Sequence, residues 1–338
     1  MRLPHSLQES QFFIFSDMEE LLEAAFGSIS DEEIGEITRL TDLGLPPITS
    51  QDILGLMLGI NPGIIWSFER QNRRHYRPFE IDRGRNKPRR LVLAPRVGIK
   101  VIQTWLSYHF ERVYKRPLHC FGFVPGFSHL DAAHAHLGAR WIFNVDIKDF
   151  FPTTPASHVV NSLVKMGYNP FSANMISRLC CYFGFLPQGA PTSPILSNLV
   201  FSEVDVRLAE LQAQYDIRLS RYADDIVFSG TGDFPVDLPS AVDAVFLATP
   251  WKISEEKRSL TFLPNRLKVH GLLVHGEHLR LTKGYRRRIR AYRHLNANGK
   301  IIAEDQAKVM GHLMFARQVE DYKEKLMTSF SAIDIGWV

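Results

Sequence analysis

The chain has 338 residues, 45% hydrophobic and 22% charged, with a formal net charge of +4. This is the composition of a folded globular protein with room for a sizeable core, and it excludes extended disorder. No apolar run is long enough to cross a bilayer, the N-terminus lacks a signal-peptide pattern, and Cys120, Cys180 and Cys181 have neither zinc-site nor disulfide spacing. Together these features predict a cytoplasmic protein with buried thiols and no membrane partner.

Charge is unevenly distributed. Residues 1–66 carry eleven acidic and two basic side chains, which leaves +13 on the other 272 residues. The basic remainder is the part suited to phosphate.

In chain order, residues 1–38 read as an acidic helical extension, with Asp17-Met-Glu-Glu-Leu-Leu-Glu-Ala-Ala-Phe at helical spacing. Such an element either covers one side of the domain or docks a partner. Ser50 then caps a short helix through Leu58, and Asn61-Pro-Gly starts another. Arg70 to Lys100 holds eleven Lys or Arg, with Glu69, Glu80 and Asp82 the only acids in or beside it. Two strand-like pieces there, Tyr76–Ile81 and Arg90–Leu93, flank a turn at Asp82-Arg-Gly-Arg-Asn-Lys-Pro and predict a basic β-hairpin.

Helices at about 98–114 and 130–137 bracket a glycine-rich bend at 122–126. The strand Arg140-Trp-Ile-Phe-Asn-Val-Asp146 ends on a carboxylate. Thr154-Pro155 predicts a cap and first-turn proline for a helix to about Met166, and Ser193-Pro194 does the same for a long amphipathic helix to about Gln212. Strands at 217–223 and 225–229 form a hairpin whose turn holds Asp224 and Asp225. A helix near 238–247 and strands near 260–263, 268–274 and 278–281 complete an α+β arrangement, and the final 55 or so residues read as helices only.

Nucleotidyl transfer joins a 3′-hydroxyl to an α-phosphate, and two divalent ions about 3.5–4 Å apart can stabilise the entering and leaving oxygens. Magnesium needs hard oxygen donors, so the minimum protein signature is two or three aspartates converging from strand ends. Asp146, Asp224 and Asp225 are placed to converge in this way. An Asp-Asp turn alone is weak evidence, because aspartate favours turns. The longer strings change the weighing: Asn144-Val-Asp-Ile-Lys-Asp-Phe-Phe-Pro152, Leu186-Pro-Gln-Gly-Ala-Pro-Thr-Ser-Pro194 and Arg221-Tyr-Ala-Asp-Asp225, in that order.

These strings resemble the palm motifs of reverse transcriptases. The resemblance implies a right-hand polymerase fold: fingers over 39–120 with the basic hairpin, an antiparallel-sheet palm over 121–282, and a helical basic thumb over 283–338. It further implies that Asp146 and Asp224, with Asp225 as auxiliary and the Ile147 carbonyl as a further ligand, hold two Mg2+ ions. Phe151 becomes the steric gate against a 2′-hydroxyl. Gln188 and Gly189 line the deoxynucleotide pocket, Lys87 and Arg90 hold the triphosphate, and Lys257 stands near the leaving pyrophosphate. Gly271 and Leu272 fall in the primer-grip hairpin.

Leu43-Gly-Leu-Pro46 and the Gln-Gly-Ala box resemble the retron branch over residues 38 to the C-terminus. Two of that branch's signatures are altered, reading Ala132-Ala-His-Ala-His136 for Asn-Ala-x-x-His and Val269-His-Gly271 for Val-Thr-Gly. Membership implies reverse transcription of a cognate structured non-coding RNA into a branched RNA–DNA hybrid for anti-phage defence, with a separate effector protein and host RNase H. Alternatives are a diversity-generating or stand-alone defence reverse transcriptase, or a silent RNA-binding scaffold. Lys283 to Arg293 carries six basic residues and no acid. Its Arg286, Arg287, Arg288, Arg290 and Arg293, with two tyrosines at helical spacing, predict an RNA-gripping helix.

Overall fold

A computed structural model describes residues 3–70, 72–82, 84 and 89–333. The opening helices are α1 (His5–Glu9), α2 (Met18–Ala24), α3 (Asp31–Asp42), α4 (Gln51–Leu58) and α5 (Pro62–Arg70). The side chains of Asp17, Ser30 and Ser50 accept from the backbone N–H three residues on, capping α2, α3 and α4.

The acidic extension is part of the main body. Phe12, Phe13, Leu21, Ala25, Ile37 and Leu40 are buried in the same core as Trp105 and Phe110, and the Trp105 indole N–H donates to the Ser10 carbonyl at 2.8 Å. Helix α3 runs through residue 38, so the extension has no break there; Ile37 and Leu40 on its buried face carry it on.

The basic hairpin pairs β1 (Tyr76–Ile81) with β2 (Arg90–Pro95), antiparallel. After it come α6 (Val97–Val113), α7 (His129–His134), β3 (Trp141–Asp146), α8 (Ala156–Met166), α9 (Pro170–Cys180) and α10 (Ser193–Tyr215). Thr154 does not cap α8: Pro155 stands at the N-cap, while the Thr154 hydroxyl donates to the Phe150 carbonyl at 2.7 Å and accepts from the Trp251 indole at 3.0 Å. Helix α9 has no counterpart in the sequence reading, although Asn169-Pro170 supplies a cap and first-turn proline. The front half of α10 is buried on several sides, by Ile195, Leu196, Val200, Phe201 and Val204, because it packs against α8, α6 and the sheet. It is therefore a core helix and not an amphipathic one.

Next are β4 (Arg218–Tyr222), β5 (Asp225–Gly230), α11 (Leu238–Phe246) and β6 (Ser259–Phe262). The four-stranded sheet runs β4-β5-β3-β6, with every neighbour antiparallel. Strand alternation decides which core each side chain enters. Trp141, Phe143, Val145, Ile226 and Phe228 point into the main core, whereas Ile142 and Val227 point into a second one.

The second core is closed by β7 (Lys268–Val269), β8 (Leu272–Leu273), β9 (Arg280–Leu281), α12 (Lys283–Ala297) and α13 (Ala303–Ile333). The predicted single strand at 268–274 is thus two strands. His270 (φ 48°) and Gly271 (φ 81°) turn the chain between them. All three cysteines are buried and free, as expected of core thiols. Among the described residues no helix is long and apolar enough to cross a membrane.

Candidate active site

The Asp224–Asp225 hairpin is built by short-range pairing and held from behind by a buried charge network. Tyr222 pairs with Asp225, leaving Ala223 and Asp224 as a two-residue turn. Ala223 adopts φ 60°, a left-handed conformation that costs an L-residue roughly 1–2 kcal/mol. The fully buried Arg221 offsets that cost. Its guanidinium donates two bonds to Asp205 at 2.7 and 2.6 Å, one to Asn198 Oδ1 at 3.0 Å and one to the Ala223 carbonyl at 3.3 Å. Burial alone would raise the Asp205 carboxyl, but Arg221 and His119 hold it below its usual value.

The segment 119–122 braces the other side of this strand. The Arg221 amide donates to the His119 carbonyl at 2.7 Å, and the Phe121 amide donates to the Arg221 carbonyl at 2.9 Å. A Cβ at Gly122 would lie 2.1 Å from the Ala223 nitrogen, so only glycine fits against the turn.

Pairing of β3 with β5 sets Asp146 opposite Asp225, and the Ile147 amide donates to the Asp224 carbonyl at 3.0 Å. The three predicted aspartates therefore meet at one sheet end. Burial, a hydrogen bond with Asp146 and the nearby Asp224 charge push the Asp225 carboxyl above its ordinary value. Asp224 is raised as well, chiefly by burial and then by the Asp146 charge. Crowded carboxylates of this kind favour either a shared proton or a cation.

Lys257 Nζ stands 2.5 Å from Asp146 Oδ1, and His270 Nδ1 lies 3.8 Å from Asp225 Oδ2. Among the described residues, no three His, Cys, Asp or Glu side chains are spaced to hold an ion by themselves. The donor set is nonetheless all hard oxygen and excess negative charge. It fits a divalent ion that keeps waters and takes its other ligands from substrate phosphates.

A cavity of about 460 Å³ opens beside these groups, lined by Arg90, Ile147, Phe151, Gln188, Asp224 and Lys257 among others. Six of the predicted pocket and metal residues thus share one space. Gly189 contributes through the backbone. At φ 119° its missing Cβ would meet Val92 at 2.7 Å, and the Leu93 amide donates to the Gln188 carbonyl at 2.8 Å, so glycine lets this segment dock on β2. Lys87 lies outside the described residues.

The sequence reading missed Phe123, which lines the cavity with its ring 5.7 Å from that of Phe151. The glycine-rich bend around it is the only hint in the sequence. Asp149, with φ 49°, also lines the cavity.

Other predicted residues are placed differently. Gly271 is exposed at the β7–β8 turn, but the Leu272 side chain is fully buried in the second core. Arg286, Arg287, Arg288, Arg290 and Arg293 are exposed on α12, and Arg293 pairs with Glu320 of α13 at 3.0 Å. Tyr285 and Tyr292 do not point outward with them. They pack on the second core, where the Tyr285 hydroxyl meets His312 Nδ1 at 2.7 Å and the Tyr292 ring stacks on His312.

His136 is fully buried. Its ring nitrogens bond the hydroxyls of Ser229 and Ser220, both at 2.7 Å, which ties the segment after α7 to β5 and β4. It is a core histidine with no face for RNA.

Residues 82–312 match the family model described as reverse transcriptase (RNA-dependent DNA polymerase). More than half of the chain is covered, and the protein belongs to the reverse-transcriptase family: it is an RNA-directed DNA polymerase, a class with the right-hand polymerase fold. Within the family its resemblance is to retron enzymes. It is 28% identical to the retron Ec86 reverse transcriptase of Escherichia coli, over 86% of this chain and 91% of that one. It is also 28% identical to the retron Mx65 enzyme of Myxococcus xanthus (83% and 71%) and 30% identical to the Mx162 enzyme of that organism (76% and 61%).

Proposed function

We propose that this protein is a retron reverse transcriptase that copies part of a cognate structured non-coding RNA into DNA, leaving a branched RNA–DNA hybrid that serves anti-phage defence with a separate effector protein. Host RNase H would remove the copied RNA. The observation that carries the reading is the meeting of Asp146, Asp224 and Asp225 beside a cavity lined by Arg90, Phe151 and Gln188. A silent scaffold would have no need of this intact set.

In this account residues 39–120 are fingers, 121–282 palm and 283–338 thumb. Asp146 and Asp224, with Asp225 and the Ile147 carbonyl, would hold two Mg2+ ions. Bound there, the ions stabilise charge on the entering and leaving oxygens. Arg90, with Lys87, binds the triphosphate of the incoming deoxynucleotide. Gln188 lies against sugar and base, and Phe151, backed by Phe123, occupies the space a 2′-hydroxyl needs. Lys257 orients Asp146 in the free enzyme and can donate a proton to pyrophosphate as it leaves. Gly271 offers backbone at the primer grip, and the arginines of α12 hold RNA phosphates.

Sequencing the nucleic acid that copurifies with the protein tests the function. DNA joined to one RNA species is expected, and RNA alone would contradict the proposal. Phe151→Ala is expected to admit ribonucleotides in primer extension, and unchanged sugar selectivity would remove it as the gate.

A further inference from the structure

A second cavity, of about 580 Å³, shares no lining residue with the one beside the aspartates. It lies between the end of α5, the end of α9 and the start of α8, and its walls include Arg70, Arg73, Arg74, Arg178, Glu69 and Phe183. The buried carboxylate of Glu69 is already held by Gln51 at 2.5 Å and Arg178 at 2.7 Å. Among the described residues that line the cavity, four carry guanidinium groups and one, Glu69, a carboxylate.

Phe183 occupies this wall at a cost. The Tyr182 amide donates to the Phe185 carbonyl at 2.8 Å and the Phe185 amide donates back at 3.1 Å, closing a two-residue turn of Phe183 (φ 48°) and Gly184 (φ 84°). Positive φ at both positions is the type I′ pattern, which favours Asn-Gly. Here the first position holds a bulky aromatic in a left-handed backbone, with 66% of its surface exposed. Tyr182 meets its ring at a steep angle, T-shaped with 4.7 Å between centroids, and most of the Phe183 surface stays open to solvent. Neither backbone preference nor burial accounts for a phenylalanine here. Strained backbone of this kind clusters at functional sites, ligand clamps among them.

An exposed ring beside clustered arginines is the arrangement that binds single-stranded nucleic acid, with a base stacked on the ring and phosphates held by the cations. In a duplex the base faces are covered, so this chemistry selects unpaired nucleotides. We infer that the cavity at Phe183, Arg70, Arg73 and Arg74 binds an unpaired segment of RNA outside the copying site. The inference rests on the proposed function only in taking RNA as the ligand.

The test uses the full chain, freed of nucleic acid, and a twelve-nucleotide oligouridylate carrying 4-thiouridine. Photo-cross-linking to the peptide that spans Phe183 is titrated against RNA concentration, and melting temperature and extension of a short primed duplex are measured in parallel. Phe183→Asn suits the turn, so it is expected to melt no lower than wild type while its half-saturation concentration rises at least about fivefold. Phe183→Trp should bind like wild type. A fully paired twelve-mer should not compete for the cross-link. Unchanged cross-linking in Phe183→Asn, an equal loss in the tryptophan variant, or effective competition by the duplex would overturn the inference. Primer extension should be unaffected by Phe183→Asn, so a failure of the polymerase reading shows in wild-type extension and not in this comparison.

Discussion

The Asp224–Asp225 hairpin and the α12 helix are both dense in charge, yet they handle it in opposite ways. Behind the hairpin the supporting charges are buried and fixed by partners: Arg221 has no exposure and grips Asp205 with two bonds, and Gly122 closes on the turn from the far side. On α12 five arginines face water, and one is paired to Glu320. Fixed charge in a dry setting can aim at particular atoms, whereas exposed charge acts as a field that salt screens. The first suits chemistry and the second suits holding a polyanion.

Breaking the fixed network should have the largest effect. Arg221→Ala leaves Asp205 buried without its main partner, and removal of one member of such a pair costs about 3–5 kcal/mol. A fall of several degrees in melting temperature is expected, together with loss of extension activity as the Ala223 turn relaxes. A variant that melts like wild type would show that the network does not support the hairpin.

A smaller effect should come from protons. Burial pushes His136 down to about 3 from an ordinary 6.5, and burial pushes His109 down to about 4. As pH falls below about 6.5, the unfolded chain takes up protons on these rings that the folded chain refuses. Stability is therefore fully present above that pH and declines steadily toward pH 4. Replacing His136 with Gln keeps a polar partner for Ser220 and Ser229, and denaturant titrations of this variant should show a shallower decline. An identical pH slope would remove His136 from the account.

The mildest change should be on α12. Replacing Arg287 and Arg288 with Ala is expected to leave the melting temperature within about a degree, because surface substitutions of this kind usually change stability by under about 0.5 kcal/mol. Affinity for RNA should fall at low salt and converge with wild type at high salt. A loss that is independent of salt would mean that these arginines act by specific contact.

The same contrast explains what could be read in the sequence. Asp146, Asp224 and Asp225 were legible because strand ends and turns are local features, and Gln188 and Arg90 because they sit in strings resembling one family. Helices α4, α5 and α6 followed from caps and periodicity. The sequence alone could not show that Asp205 and the 119–122 segment converge on Arg221, since the contacts of Asp205 and Cys120 with it span 16 and 101 residues of chain. Tyr285 and Tyr292 misled for a related reason. Their spacing fits a stacking face as well as a packing face, and only α13 decides between them. His136 likewise needed β4 and β5 in place before its two serine partners could be seen.

The central claim is that the three clustered aspartates carry nucleotidyl transfer, and single-turnover extension of a primed RNA with deoxynucleotides and Mg2+ tests it most directly. The double variant Asp224→Asn, Asp225→Asn keeps the shape of the turn while removing its charge. It is expected to fold, to bind the primed RNA and to extend it at least about a thousandfold more slowly, as loss of fixed electrostatic stabilisation requires. Extension at the wild-type rate by a folded double variant would contradict the assignment.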